Sequence, residues 1–249
     1  MPRKNNSAHK QPQHNKRNRR AVGCEDQFDD RPMALPKADR SPIQARNEAQ
    51  RQYLSAIHNH QLVIAVGPAG VGKTWLIGAK AAQALDERRI EKIVITRPAI
   101  EAGEKLGHLP GEKEDKFAPF LAPFREVLDE RLGKSYVDYL LKTGRIEAAP
   151  LAYMRGRTFK NAMVILDEAQ NTTVGQMKMF LTRLGEGSTA VLTGDISQTD
   201  IKGVSGLADA LSRISHIHAV KVVSFSSKDV VRSGLVQAIV EAYEQKSPD

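Results

Sequence analysis

The stretch "AVGPAGVGKTW", residues 65–75, constrains this chain more than any other part of it. Gly67, Gly72, Lys73 and Thr74 fit the spacing G-x-x-x-x-G-K-[ST], in which backbone N–H groups of a glycine-rich turn converge on phosphate at a helix N-terminus. Such a loop works only between a strand and a helix. An apolar run, "LVIAV" at 62–66, precedes it, and a helical pattern at about 73–87 follows. In this reading Gly67, Pro68, Ala69, Gly70, Val71, Gly72, Lys73, Thr74 and Trp75 form the nucleotide-binding loop. Lys73 reaches the β- and γ-phosphates and Thr74 ligates Mg²⁺.

Further strand-like runs follow at 92–96 ("KIVIT"), 162–167 ("AMVILD"), 189–195 ("TAVLTGD") and 219–225 ("AVKVVSF"). Helical patterns lie between and after them, at about 174–184, 204–215 and 229–245. Apolar runs without alternation suit strands buried on both faces, so the expected fold is α/β: a mostly parallel sheet of the P-loop, RecA-like kind with helices on both faces. A helix is also expected within "IQARNEAQRQYLSAI". The segment at about 97–161 is too long for a simple crossover and reads as an insertion with helical pieces. Phe117, Phe120 and Phe124 recur there at helical spacing, as a core stripe in preference to a stacking platform.

With 249 residues, of which 41% are hydrophobic, the chain can bury one substantial core. No run of 18 apolar residues exists and the N-terminus carries no apolar segment, which reads as a soluble, cytoplasmic protein away from membranes. The single Cys24 excludes an internal disulfide and a cysteine-based zinc cluster. The net charge of +8 is unevenly spread: Arg3, Lys4, Lys10, Lys16, Arg17, Arg19 and Arg20 stand in the first twenty residues with no acid among them. Residues 1–42 are therefore expected to be a disordered basic arm and linker before a core at 43–249. The arm is either a tether for phosphate backbones or a solubilising tail.

Two motifs give the loop a chemistry. In "VILDEAQN" a hydrophobic strand ends in Asp167, placed to hold the Mg²⁺ shell, and the adjacent Glu168 can polarise water. That pairing suits a hydrolase. A small-molecule kinase needs no water activator, and no base-recognition motif of a GTPase is found. In "LTGDISQTD" Gly194, Asp195 and Gln198 lie just past another strand, at the edge where open parallel sheets bind ligands. Gln198 either senses the γ-phosphate or caps its own loop, and Asp195 either joins the site or caps the next turn.

These motifs, with "ITRPAIEAGEKLGHLPG" and "DVVRSGLV", resemble the PhoH-like family, whose single-core ATPases are similar to superfamily 1 helicases. The resemblance runs from about Arg46 to the C-terminus and omits the basic arm. It implies ATP with Mg²⁺ as cofactors, Gln50 as an adenine contact, Arg97 in a segment that touches nucleic acid or the γ-phosphate, and Arg232 in a C-terminal arginine motif. Ser233 and Gly234 follow Arg232 where relatives often carry His. Any RNA cleavage is expected from a nuclease partner.

Cores of this kind borrow an arginine from a second core domain. This chain has room for one core, so the arginine is expected in trans from a neighbour in a homo-oligomeric ring, hexameric by resemblance. Arg232 is the first candidate and Arg183 the reserve. Lys105 and His108, in a glycine-punctuated loop, either approach nucleic-acid phosphates or are solvated. Two functional readings remain: an ATP-driven helicase or translocase on single-stranded nucleic acid, RNA favoured over DNA, or a nucleotide-gated RNA-binding protein that serves a nuclease or ribosome-associated partner.

Overall fold

The computed structural model describes residues 38–98 and 113–231, without the side chains of 113–117. Most of the basic arm, Lys105, His108, Arg232 and the helix expected at 229–245 from its fourth residue onward lie outside the described residues.

Six strands, β1 (Leu62–Val66), β2 (Lys92–Arg97), β3 (Ile146–Pro150), β4 (Ala162–Leu166), β5 (Thr189–Gly194) and β6 (Val220–Ser224), form one sheet. Their order is β3-β2-β4-β5-β1-β6. Every neighbouring pair is parallel. The helices are α1 (Glu48–Asn59), α2 (Lys73–Asp86), α3 (Lys113–Leu132), α4 (Lys134–Lys142), α5 (Val174–Leu181) and α6 (Gly206–Ile214). Among the described residues, no helix is long and apolar enough to cross a membrane.

The strand sequences lack alternation because alternate residues serve two different cores. Val63, Ala65, Ile93, Ile95, Ile165 and Val191 pack with Tyr53, Leu76, Ile77 and Phe124 of α1, α2 and α3. Leu62, Ile64, Val94, Val164, Leu166 and Leu192 pack with Met177, Phe180 and Leu207 of α5 and α6 on the other face. Each such side chain, fully buried, contributes about 1.5–3 kcal/mol. Helices thus cover both faces, as the uninterrupted apolar runs require.

β3 was not anticipated from the sequence. It lies inside the stretch 97–161 that reads as an insertion, and it is the edge strand beside β2. α3, from the same stretch, packs closely on α2: a Cβ at Gly78 would lie 2.5 Å from Val127 Cγ1, so only glycine permits this approach. Phe124 is fully buried and Phe120 packs against the same core, so these two members of the stripe are core, while the Phe117 side chain lies outside the described residues. Strands β4 and β5 stop at Leu166 and Gly194, one residue short of their expected ends, leaving Asp167 and Asp195 just past the edge of the sheet.

Candidate nucleotide site

The loop after β1 is shaped by three glycines at positive φ: Gly67 (146°), Gly70 (83°) and Gly72 (86°). Gly67 is needed twice over, since a Cβ there would also meet the Phe225 carbonyl oxygen at 2.5 Å. Its N–H donates to Gly194 O at 3.1 Å, tying the loop to the tip of β5. Gly72 turns the chain into α2, which begins at Lys73. Lys73 Nζ donates to the carbonyls of Gly67 (2.6 Å) and Pro68 (2.7 Å). Burial lowers its pKa from the ordinary lysine value, and the charges of Asp195, Asp167 and Glu168 pull it back up. All three carboxylates therefore act on one ammonium. Trp75 points to the rim, its Nε1 donating to Glu130 Oε2 at 3.3 Å.

Asp167 is 4% exposed. Burial raises its carboxyl pKa, against the opposing effects of a hydrogen bond from Thr193 and the charge of Arg97. Thr193 Oγ1 donates to Asp167 Oδ1 at 2.6 Å, and Arg97 Nε lies 3.1 Å from Oδ2. Arg97 also donates through Nη2 to Glu168 Oε1 at 3.1 Å, so this guanidinium bridges the two carboxylates. Glu168 has left-handed backbone (φ 53°, ψ 39°), unusual for a residue with a side chain. That turn separates its carboxylate from the line of β4.

A residue the sequence reading passed over completes this cluster. Gln170 is 2% exposed and joins both motifs. Its Nε2 donates to Glu168 Oε2 at 2.7 Å, and its Oε1 accepts from Asp195 N at 3.1 Å. Gly194 permits the approach, because a Cβ there would sit 2.7 Å from Gln170 Oε1. The available signal was an amide two residues after the paired acids in "VILDEAQN". Asp195 caps the following turn, its Oδ1 accepting from Ser197 N (3.0 Å) and Ser197 Oγ (2.6 Å). Gln198 is exposed, held by its backbone N–H to Asp195 O at 3.1 Å.

On the other side of the loop lies a cavity of about 860 Å³ whose lining includes Arg46, Gln50, Gly70, Gly72, Trp75 and Arg131. Such a volume suits a small ligand. Gln50 ties its two walls together: Oε1 accepts from Arg46 N at 2.8 Å and Nε2 donates to Val71 O at 3.0 Å. The amide expected to read adenine is thus engaged with the loop's own backbone. Arg131, buried, holds the outer wall by donating to Ser41 O at 2.6 Å.

Arg183 does not join this cluster. It follows α5 and precedes the start of β5, at the opposite end of the sheet from the loop. Among the described residues no group of three His, Cys, Asp or Glu side chains could hold a metal. The buried Asp167 carboxylate and the Thr74 hydroxyl in the first turn of α2 are hard oxygen donors of the kind Mg²⁺ takes, one or two from protein beside waters and phosphate.

A phosphate loop, its lysine and an acidic strand tip on one edge of a parallel sheet define a P-loop nucleoside-triphosphatase fold. The family profile described as PhoH-like protein matches residues 42–244, and the chain belongs to that family. It is 54% identical over 215 residues to Protein PhoH of Escherichia coli K12, covering 85% of this chain and 61% of that protein. The PhoH-like protein of Bacillus subtilis 168 is 50% identical over 207 residues, 82% of this chain and 65% of the relative. The chain thus spans about three-fifths of the length of these relatives. The large terminase of a thermophilic bacteriophage superposes with a TM-score of 0.47 at 12% identity, over 83% of this chain and 51% of that one.

Proposed function

We propose that the chain binds ATP with Mg²⁺ and hydrolyses it to drive a helicase or translocase on single-stranded nucleic acid, RNA in preference to DNA. The observation that supports this most is the cluster of Asp167, Glu168 and Asp195, joined through Arg97 and Gln170, at the same edge of the sheet as the loop that holds Lys73. A lysine for the phosphates, a buried carboxylate for the metal shell and a second carboxylate for water make up the hydrolytic part of such a site. Thr74 and Asp167 would hold Mg²⁺, which supplies charge neutralisation at the phosphates. Glu168 accepts the proton of the attacking water, and Gln198 reports the state of the γ-phosphate. Gln50 and the cavity beside it take the base.

In this reading Lys105 and His108 contact the strand, Arg97 reaches the strand or the γ-phosphate from its place on Asp167 and Glu168, and the arm at 1–42 tethers nucleic acid to the core at 43–249. The chain works in the cytoplasm as a homo-oligomeric ring of six, in which Arg232, or Arg183 in reserve, completes a neighbour's site, and a nuclease is a partner. Steady-state ATPase with and without single-stranded RNA and DNA, beside a Glu168→Gln control, tests this. Stimulation that the control abolishes supports the motor. A nucleotide-dependent rate that neither nucleic acid changes would refute it in favour of the gated RNA-binding protein.

A further inference from the structure

We propose that a groove between α5 and the turn after β3 is a second contact for single-stranded nucleic acid, binding its phosphodiester backbone. The inference rests on the reading above and says where that reading's strand lies. The groove has a volume of about 470 Å³, and its lining includes Arg155, Gly156, Gly175, Lys178, Met179 and Arg183. Three of these are cations and none is an acid.

Elsewhere on the described surface, several arginines are matched by carboxylates. Arg125 pairs with Asp129 and Asp138, Arg157 with Glu147, and Arg213 with Asp209. Arg155, Lys178 and Arg183 are matched by none among the described residues. Arg183 donates through Nη2 to Thr182 Oγ1 at 3.2 Å, while its Nε is buried and lacks a hydrogen-bond partner. A buried guanidinium N–H without an acceptor is costly unless something brings one. Phosphate oxygen is the acceptor to which guanidinium geometry is best suited, after carboxylate. The walls also leave room for a chain. A Cβ at Gly156 or Gly175 would meet nothing within 4 Å, so backbone on both sides is open.

An acidic protein segment is the competing occupant. The groove favours nucleic acid because its recognition elements are charge and open backbone, which fit a repeating phosphate. The position is also mechanically apt. α5 begins at Val174, only a short turn beyond Glu168, and its cap, Thr173, is locked by a reciprocal hydrogen-bond pair with Gln176. A strand gripped on α5 is therefore linked to the carboxylate pair through a few rigid residues.

The test is fluorescence anisotropy of labelled oligouridylate and oligothymidylate with the full chain across a salt series. An Arg155→Ser/Lys178→Ser double variant is compared with a charge-keeping Arg155→Lys/Lys178→Arg variant. Each lost phosphate contact removes about 0.7 from the log–log salt slope on a single strand, so the neutral variant is expected to lose about 1.4 and the charge-keeping one almost nothing. Both should keep the parent's melting temperature, since the substituted side chains are exposed and unpaired. If the parent binds and the neutral variant shows the same slope, the groove is wrong while the motor reading stands. If the parent binds neither oligonucleotide, both fall. Loss of self-association with an unchanged slope would make this face a protein interface and would overturn the proposal.

Discussion

Gln170→Leu should separate the two motifs that meet at the nucleotide site while nearly preserving side-chain volume. The amide makes two side-chain hydrogen bonds, one to Glu168 Oε2 at 2.7 Å and one from Asp195 N at 3.1 Å. Their losses are unequal. The Glu168 side chain is 44% exposed, so water replaces much of what the amide gave it, and this end costs on the order of 0.5–1 kcal/mol. The Asp195 N–H is left facing a leucine without an acceptor, which costs about 1–3 kcal/mol. A total of about 1.5–4 kcal/mol follows, or a fall in melting temperature of roughly 3–16 °C for a domain of this size. Urea denaturation measures the first figure directly. The kinetic effect should be larger than the thermodynamic one, because Glu168 loses the group that orients it. We expect kcat for ATP hydrolysis to drop by about tenfold or more, equivalent to about 1.4 kcal/mol or more, with KM nearly unchanged because the loop and Lys73 are untouched. A variant that loses less than about 0.5 kcal/mol of stability and keeps its kcat would show that Gln170 positions nothing.

Glu147→Gln tests the edge strand: Arg157 and Lys92 hold this carboxyl at a pKa of about 2, down from 4.5. Because the folded value is depressed, the stability it confers is present above pH 4.5 and lost as pH falls toward 2. The full linkage is about 3.4 kcal/mol, about 2 after solvent screening, so the variant should be less stable by that amount at neutral pH and show a flatter acid limb in pH-dependent urea melts. Asp167→Asn removes a charge buried to 4% exposure and keeps the oxygen that accepts from Thr193, so it should abolish ATP hydrolysis while raising neutral-pH stability by about 1 kcal/mol, or the melting temperature by roughly 2–4 °C. A lower melting temperature would show that its ion pair with Arg97 outweighs its burial. Gly67→Ala places a methyl 2.5 Å from the Phe225 carbonyl oxygen at φ 146°, and should cost at least about 2 kcal/mol in denaturant melts along with binding of a fluorescent ATP analogue.

The sequence made the inner sheet legible for a simple reason. β1, β2, β4 and β5 are covered on both faces, so each carries an unbroken apolar run at its centre and these runs stand out. β3 hid because of its composition, whereas β6, at the other edge, kept a β-branched run, "AVKVVSF", and was legible. The β3 sequence, "IEAAP", carries a glutamate, two alanines of weak strand preference and a terminal proline, which only an edge tolerates. The glutamate turns out to be its fastening, held by Lys92 and Arg157. The loop and the paired acids were legible because their spacing is chemical. Gln170 was not, since its role depends on Asp195 arriving from 25 residues further along the chain. Arg97 carried a signal of a different kind: the resemblance of its segment suggested a contact with nucleic acid or the γ-phosphate, and the fold adds what that could not, its pairing with Asp167 and Glu168. Side-chain direction past the end of a strand depends on the fold around it, and local spacing does not reveal it.

The sheet order also works as a ruler. β5 stands between β1 and β4, bonded to the loop through Gly194 O and to Asp167 through Thr193. The gap from phosphate loop to acidic tip is thus two interstrand spacings, about 10 Å, a length set by backbone hydrogen bonding. Side-chain substitutions can retune the charge at either end of that gap, but its width is a property of the sheet itself.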